Sequence, residues 1–167
     1  MIHSFKTMGL ILMLLFVIVQ SPAQLGSKTE IADQRVEKVL KQSGWKYSID
    51  DDGDFELLFD TENGRDQLVW IRSHTEDLSH LEIREIWSFA YTSKRPFSAD
   101  IANRLLEHNS QMKLGFWQVK KFGDKYTAVY TAQIAAESDL TTLRTVVNAV
   151  VKTADQMELE LTDSDEF

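Results

Sequence analysis

The last apolar segment of the chain constrains the fold most, because its pattern requires a sheet to lie against. Eight apolar residues recur there at helical spacing: Leu140, Leu143, Val146, Val147, Val150, Val151, Ala154 and Met157. At 100° per residue they fall within an arc of about 140°, which is typical of a helix packed on a sheet. Ser138 and Asp139 precede this segment and are suited to cap the helix.

Alternating apolar residues predict the strands of that sheet. The alternating runs are residues 45–49, 55–59, 68–71, 81–91, 116–121 and 126–134. Helical spacing predicts two further helices, one from Thr29 to a stop at Gly44 and one from Ser98 to a stop at Gly115. The order is therefore helix, four strands, helix, two strands, helix. Parallel crossovers would require strict alternation, so this order predicts an α+β fold with an antiparallel sheet.

Residues 1–23 have the layout of a signal peptide. They carry Lys6 and no acidic residue, and the apolar run 9–19 is shorter than the roughly 20 residues of a membrane-spanning helix. Ser21 and Ala23 supply small side chains for cleavage. We expect a secreted or periplasmic protein with a flexible lead at 24–28 and no stable membrane insertion after cleavage. Retention of the apolar run as an anchor is the alternative.

Composition excludes several classes of chemistry. The chain of 167 residues has no cysteine, so it forms no disulfide, cysteine-based zinc site or iron–sulfur cluster. Its net charge of −8 argues against binding to nucleic acid, and no glycine spacing fits a nucleotide-phosphate loop. We expect one domain over 29–157 and a frayed acidic tail over 158–167, with no cofactor.

The polar residues suggest no strong catalytic site. The acidic residues 50–54 surround Gly53 but do not fit a calcium loop, so we expect a hairpin turn. His74 and His80 flank several acids in a predicted loop, which leaves a metal site or general base there as a hypothesis. Glu82 and Glu85 are three residues apart in a strand and should point to opposite faces. We therefore predict no catalytic and no metal-binding residue.

Aromatic residues and lysines mark the predicted strands. All four tryptophans lie in strand patterns, so most should be in the core, and one at the surface would anchor a partner. Trp87 and Trp117 are our candidates for partner-binding residues. Lysines 120, 121 and 125 flank a predicted hairpin, which is typical of a protected edge strand.

Residues 105–117, which read Leu-Leu-Glu-His-Asn-Ser-Gln-Met-Lys-Leu-Gly-Phe-Trp, resemble the most distinctive stretch of the YbjN family of bacterial sensory-transduction regulators. In that family a helix ends in a Leu-Leu-x-x-Asn run and leads through Gly into a strand. The resemblance extends over roughly residues 30–157 and implies a fold like that of type III secretion chaperones. Those chaperones are small acidic proteins that dimerise and bind extended segments of partners. The resemblance implies no catalytic residue.

Two functional hypotheses follow. The first is an exported, non-enzymatic binding or regulatory module that recognises a protein or peptide segment along its sheet. The alternative is a small periplasmic hydrolase or metal-dependent enzyme that uses His74 and nearby acids. Leu106 stands apart from the apolar stripe of its helix, which leaves two options for assembly. One is a monomer with an exposed Leu106, and the other is a homodimer in which Leu106 meets its own copy across a twofold axis.

Overall fold

The computed structural model describes residues 31–167, so the expected signal peptide and flexible lead lie outside the described residues. The elements follow the predicted order. They are α1 (Gln34–Ser43), β1 (Ser48–Ile49), β2 (Phe55–Asp60), a 3₁₀ turn (Glu62–Gly64), β3 (Asp66–Leu78), β4 (Leu81–Ser93), α2 (Ala99–Asn109), β5 (Phe116–Phe122), β6 (Lys125–Ala135) and α3 (Leu140–Thr162). Within residues 31–167 no helix is long and apolar enough to cross a membrane.

The strands form one six-stranded sheet in the order β1-β2-β3-β4-β6-β5, and every neighbouring pair is antiparallel. This confirms the predicted α+β class. The hairpin β5–β6 joins the sheet through β6, so β5 becomes an edge strand, as its lysines indicated.

The hydrophobic core lies between the sheet and the helices. Helix α3 crosses β3, β4 and β6, while α1 packs beside α3 and α2 packs on β5. The apolar residues of α3 that define its predicted face are buried from Leu143 to Met157. On the sheet they meet alternate residues of the central strands, among them Val69, Ile71 and Ile86, which are fully buried.

The predicted caps of α2 and α3 and the predicted end of α1 are confirmed, but α2 ends at Asn109, six residues before the predicted stop at Gly115, and the start of α1 differs. Asp33, rather than Thr29, caps α1, and its carboxylate accepts a hydrogen bond from the Arg35 N–H at 2.8 Å. Thr29 lies outside the described residues. Ser98 and Asp139 cap α2 and α3 as predicted, and Gly44 ends α1 in the left-handed conformation.

The segment expected to be a frayed acidic tail is folded. Helix α3 continues to Thr162, and Glu158 is completely buried. The reason is Arg65, whose guanidinium contacts Asp155 at 2.8 Å and Glu158 at 3.1 Å and so compensates their charge. Residues 163–167 then return to the sheet, and the Phe167 carbonyl accepts a hydrogen bond from the Leu68 N–H at 2.9 Å.

The predicted loop around His74 is instead the end of a long hairpin. Strand β3 extends to Leu78 and β4 begins at Leu81, so only Ser79 and His80 form the turn. Ser79 takes a positive φ of 58°, as tight hairpin turns require. Residues 72–77 are polar on both faces of the strand, which is why the sequence pattern did not reveal this part of β3.

Candidate interaction surface on the open sheet face

The sheet has one face that no helix of the described chain covers, and we call it the open face. Strand residues alternate between faces, so residues next to the buried Val69, Ile71 and Ile86 point to the open side. Directly paired residues share a face. The open face therefore includes Trp70 and the Trp87 that pairs with it.

Four aromatic side chains form a continuous cluster on this face. Trp70 and Trp87 stack with ring centroids 4.9 Å apart, and Phe89 lies 4.8 Å from Trp70. Phe122, from the edge strand β5, stacks on Trp87 at 5.7 Å with an interplanar angle of 8°. We call Trp70, Trp87, Phe89 and Phe122 the aromatic cluster.

Small residues on β6 allow this cluster to form. Strand β6 lies between β4 and β5, so side chains of β4 and β5 can touch only where the β6 side chains between them are small. On the open side β6 presents Thr127, Val129 and Thr131, which are buried although no described helix covers them. The aromatic rings thus cover the middle of the open face with a thin apolar layer.

Part of this apolar layer remains in contact with solvent. Trp87 is only 8% exposed, whereas Phe122 is 41% exposed and Leu58 is 61% exposed. Leu58 pairs with Leu68 across β2 and β3, on the same side as Trp70. Phe116 at the start of β5 is exposed as well. We call the exposed Leu58, Phe116 and Phe122 the apolar rim of the cluster.

The polar groups around the cluster are mostly paired within the chain. Glu56 accepts a hydrogen bond from the Trp70 indole N–H at 3.0 Å. Glu85 lies 3.3 Å from the Lys120 ammonium and 3.7 Å from Arg72, and the same ammonium lies 5.4 Å from the centre of the Trp87 ring. The Trp87 indole N–H has no hydrogen-bond partner among the described residues. The surface is thus largely apolar, with its charges compensated at the border.

The residues predicted to bind a partner do not lie together. Trp87 belongs to the aromatic cluster, but Trp117 lies on the opposite face, buried under α2, where its indole N–H donates to His108 at 2.9 Å. Asn109 holds this junction, because its side chain bonds both the N–H and the carbonyl of Trp117. Trp117 is therefore a core residue. Leu106 is on α2 and is 64% exposed, as predicted.

The acids and histidines of the alternative hypothesis lie at the end of the β3–β4 hairpin. His74 and Glu76 are exposed neighbours on β3, with 3.2 Å between the imidazole Nε2 and the carboxylate, and His80 is exposed in the turn. Glu82 contacts Arg35 while Glu85 contacts Lys120, which confirms that these two acids point to opposite faces. Within residues 31–167 no group of three or more metal-ligating side chains is arranged to hold a metal ion.

A polar cluster that the sequence analysis did not predict joins α1 to the sheet. Arg84 is 1% exposed and lies 2.5 Å from the Asp33 carboxylate, and it also donates to the carbonyls of Arg72 and Ser73. Burial raises the pKa of Asp33, but the hydrogen bonds from Arg35 and Arg84 outweigh it and hold the pKa well below its usual value. Asp33 therefore stays ionised and anchors α1.

A bulge in β4 explains one error in the predicted aromatic face. The alternation places Trp87, Phe89 and Tyr91 on one side of the strand. In the structure the register shifts between Phe89 and Tyr91, so Ala90 is the extra residue and Tyr91 turns to the helix side, where it lies against Phe97. The aromatic spacing at 87 and 89 was the signal for the cluster. Phe122 was not recognisable, because it reaches the cluster across β6.

Comparison with known proteins adds no relative. No protein-family model matches this chain, and no curated protein sequence matches it. The resemblance of residues 105–117 to the YbjN family stays a prediction.

Proposed function

We propose that this chain is an exported, non-enzymatic binding or regulatory module that recognises an extended segment of a partner protein on its open face. The observation that supports this best is the aromatic cluster with its exposed apolar rim, on a face that no helix of residues 31–167 covers. Exposed apolar patches of this kind are typical of protein interaction sites.

The chemistry of the open face favours a largely apolar segment without a strong charge. The acids nearest the cluster, Glu56 and Glu85, already have partners in the Trp70 indole and in Lys120. Aromatic side chains bury a large apolar area, so Phe122 is suited to anchor an apolar residue of a bound segment, and the exposed Leu58 adds apolar surface to the same face. An extended segment fits better than a helix, because the face is a sheet surface with alternating side chains.

Peptide selection tests this proposal. A library of random twelve-residue peptides displayed on phage is selected against the full chain, and the survivors are tested against a Leu58→Ser/Phe122→Ser variant. We expect peptides rich in apolar residues that bind the original chain and lose at least tenfold in affinity on the variant. The matched control is Leu159→Ser, since Leu159 is 43% exposed but lies on α3, away from the open face.

The outcomes separate clearly. Selected peptides that bind all three proteins alike would show that the open face is not their site. A selection that yields no binding peptide at all, with the protein folded, would count against peptide recognition by this module.

We also propose that two copies associate about a twofold axis at α2 and β5, which lie against each other. The exposure of Leu106 on α2 supports this, as does the edge strand β5, whose middle residue Val119 is exposed. If two β5 strands pair antiparallel about Val119, Phe116 of each copy faces Phe122 of the other, and no lysine faces a lysine. The edge is therefore self-complementary.

A further inference from the structure

Strand β4 leaves one side of the first residues of β3 unpaired. The ladder between the two strands begins at Val69 and Ser88, and the bulge that β4 makes against β6 at Ala90 follows directly along β4. Residues 66–68 pair as a strand with β2 only, and toward β4 they are linked through side chains: the Ser88 hydroxyl donates to the Leu68 carbonyl and the Gln67 amide donates to the Phe89 carbonyl. We call this unfilled sheet position, with Arg65 at its entrance and the Phe89 ring beside it, the β3–β4 notch.

Residues 163–167 fill the β3–β4 notch, and we call them the strap. Asp163 has a φ of 53°, a left-handed conformation that ends α3 and turns the chain toward the sheet. The strap then runs parallel to β3, with Asp165 beside the Asp66 N–H and the Phe167 carbonyl accepting from the Leu68 N–H at 2.9 Å. The strap thus lies along the first residues of β3, to which it is joined by one backbone hydrogen bond and one side-chain hydrogen bond.

The backbone and the side chains of the strap both contact complementary groups in and around the notch. The Arg65 guanidinium donates to the Ser164 carbonyl and lies 3.9 Å from the Asp165 carboxylate. The Phe167 ring meets Phe89 edge to face, with centroids 5.7 Å apart. Glu158, at the end of α3, accepts from the Glu166 N–H. An acid, an extended backbone and an aromatic ring two residues after the acid are therefore recognised together.

We infer that the β3–β4 notch is a recognition site for an extended partner segment that carries an acidic residue followed two residues later by an aromatic one, and that the strap occupies this site in the free chain. This inference rests on the proposed function, since it names the chemistry of part of the bound segment. Phe89 belongs to both the aromatic cluster and the notch, so a segment on the open face continues directly into the notch.

The side chains of the strap are partly exposed, which suits an occupant that can be exchanged. The Asp165 side chain is 38% exposed, and the Glu166 side chain contacts only Ser164 within the strap. Without the strap, the Leu68 N–H and one Arg65 nitrogen lose their partners, and both are then available to a segment of the same chemistry.

A peptide of residues 162–167, Thr-Asp-Ser-Asp-Glu-Phe, contains the strap and is the direct probe. We expect it to bind a full-length Asp165→Ala/Phe167→Ala variant at least tenfold more tightly than the unchanged chain. In the unchanged chain the attached strap competes at an effective concentration of about 1 mM. Fluorescence anisotropy of the labelled peptide measures both affinities. The same peptide with alanine in place of its second Asp and its Phe should bind neither protein.

Two further variants keep the test decisive. Glu166→Ala, in the same segment, should leave peptide binding as weak as in the unchanged chain, because its side chain does not contact the notch. Phe167→Ala alone keeps the Arg65 contacts, and so the end of α3, and should give an intermediate gain. Equal peptide binding by all four folded proteins, or binding by none, would overturn the inference.

The result is distinguishable from failure of the proposed function. A chain that binds selected apolar peptides through Phe122 but never binds the strap peptide refutes the notch and leaves the open-face proposal intact. A chain that binds neither refutes both. A chain whose released notch binds the strap peptide supports the inference, even where Leu58→Ser/Phe122→Ser leaves the selected peptides unaffected.

Discussion

Substitution of Asp33 by Asn tests whether the buried Arg84 depends on its counter-charge. Asn caps helices about as well as Asp, so Asp33→Asn removes the charge and keeps the cap of α1. Arg84 is 1% exposed and would retain only the carbonyls of Arg72 and Ser73 as partners. The change therefore isolates the loss of a charge opposite a buried guanidinium.

The expected loss is a large part of the protein's stability. Breaking a buried ion pair from one side costs about 3–5 kcal/mol, and we take about 3 kcal/mol because the Asp33 side chain is 13% exposed. Arg35 adds little to this figure, since it keeps Glu82 and Glu137 as partners. For a domain of this size the loss lowers Tm by roughly 6–12 °C.

Urea and thermal unfolding at pH 7 measure the effect, with Glu160→Gln as the matched control. Glu160 pairs with Arg104 at an exposed site, where ion pairs contribute little, so its removal should change the free energy of unfolding far less. If Asp33→Asn and Glu160→Gln were equally stable, the argument that Asp33 anchors α1 through Arg84 would be refuted.

The pH dependence gives an independent check of the same reasoning. The pKa of Asp33 is held below its ordinary value of 3.8, so its contribution is fully present above that pH and is lost as the pH falls toward the lower folded-state pKa. The difference in stability between the unchanged chain and Asp33→Asn should be constant from pH 5 to 8 and shrink only below about pH 4. A difference that shrinks near neutral pH would contradict it.

Three more predictions address the turns, the assembly and the histidines. Gly115→Ala should cost about 3 kcal/mol in urea unfolding, because the new Cβ would lie 2.6 Å from a backbone oxygen. Gly123→Ala, also at positive φ but in open space, should cost only about 1 kcal/mol; equal losses would argue against the close approach. Leu106→Glu should shift a dimer to the monomer in size-exclusion chromatography without unfolding it, and an unchanged protein that already elutes as a monomer at micromolar concentration would refute the dimer. His74→Ala/His80→Ala should change the stability by less than about 1 kcal/mol and leave peptide binding unchanged, whereas loss of function with the fold intact would favour the enzyme hypothesis.

Local patterns in the sequence were sufficient for the element order and for the main apolar faces. The apolar face of α3 is found as predicted, because a helix that packs on a sheet repeats its pattern over several turns. The buried Arg84 could not be predicted, since its partner Asp33 lies 51 residues away and only the folded chain brings the two together. For the same reason Trp117 looked like a candidate for the surface, although Asn109 and α2 bury it.

The candidate surface depends on one residue, Ala90, which matters because it changes the register of β4 against β6 and not because of its side chain. Ala90 is the extra residue of the β4 bulge, and it turns Tyr91 to the helix side while leaving Phe89 on the open face. The β3–β4 ladder ends at Val69 and Ser88, directly before this bulge, and the notch that Phe167 enters lies where the ladder ends. We expect the bulge to be what separates β4 from β3 at this point. A one-residue deletion at position 90 should restore regular alternation, close the notch and release the strap. Release should appear as increased proteolysis after Thr162. Hydrogen exchange of the Leu68 amide does not report it, because this amide would pair with β4 in the closed notch. Continued protection of residues 163–167 in that variant would mean that the bulge does not form the notch.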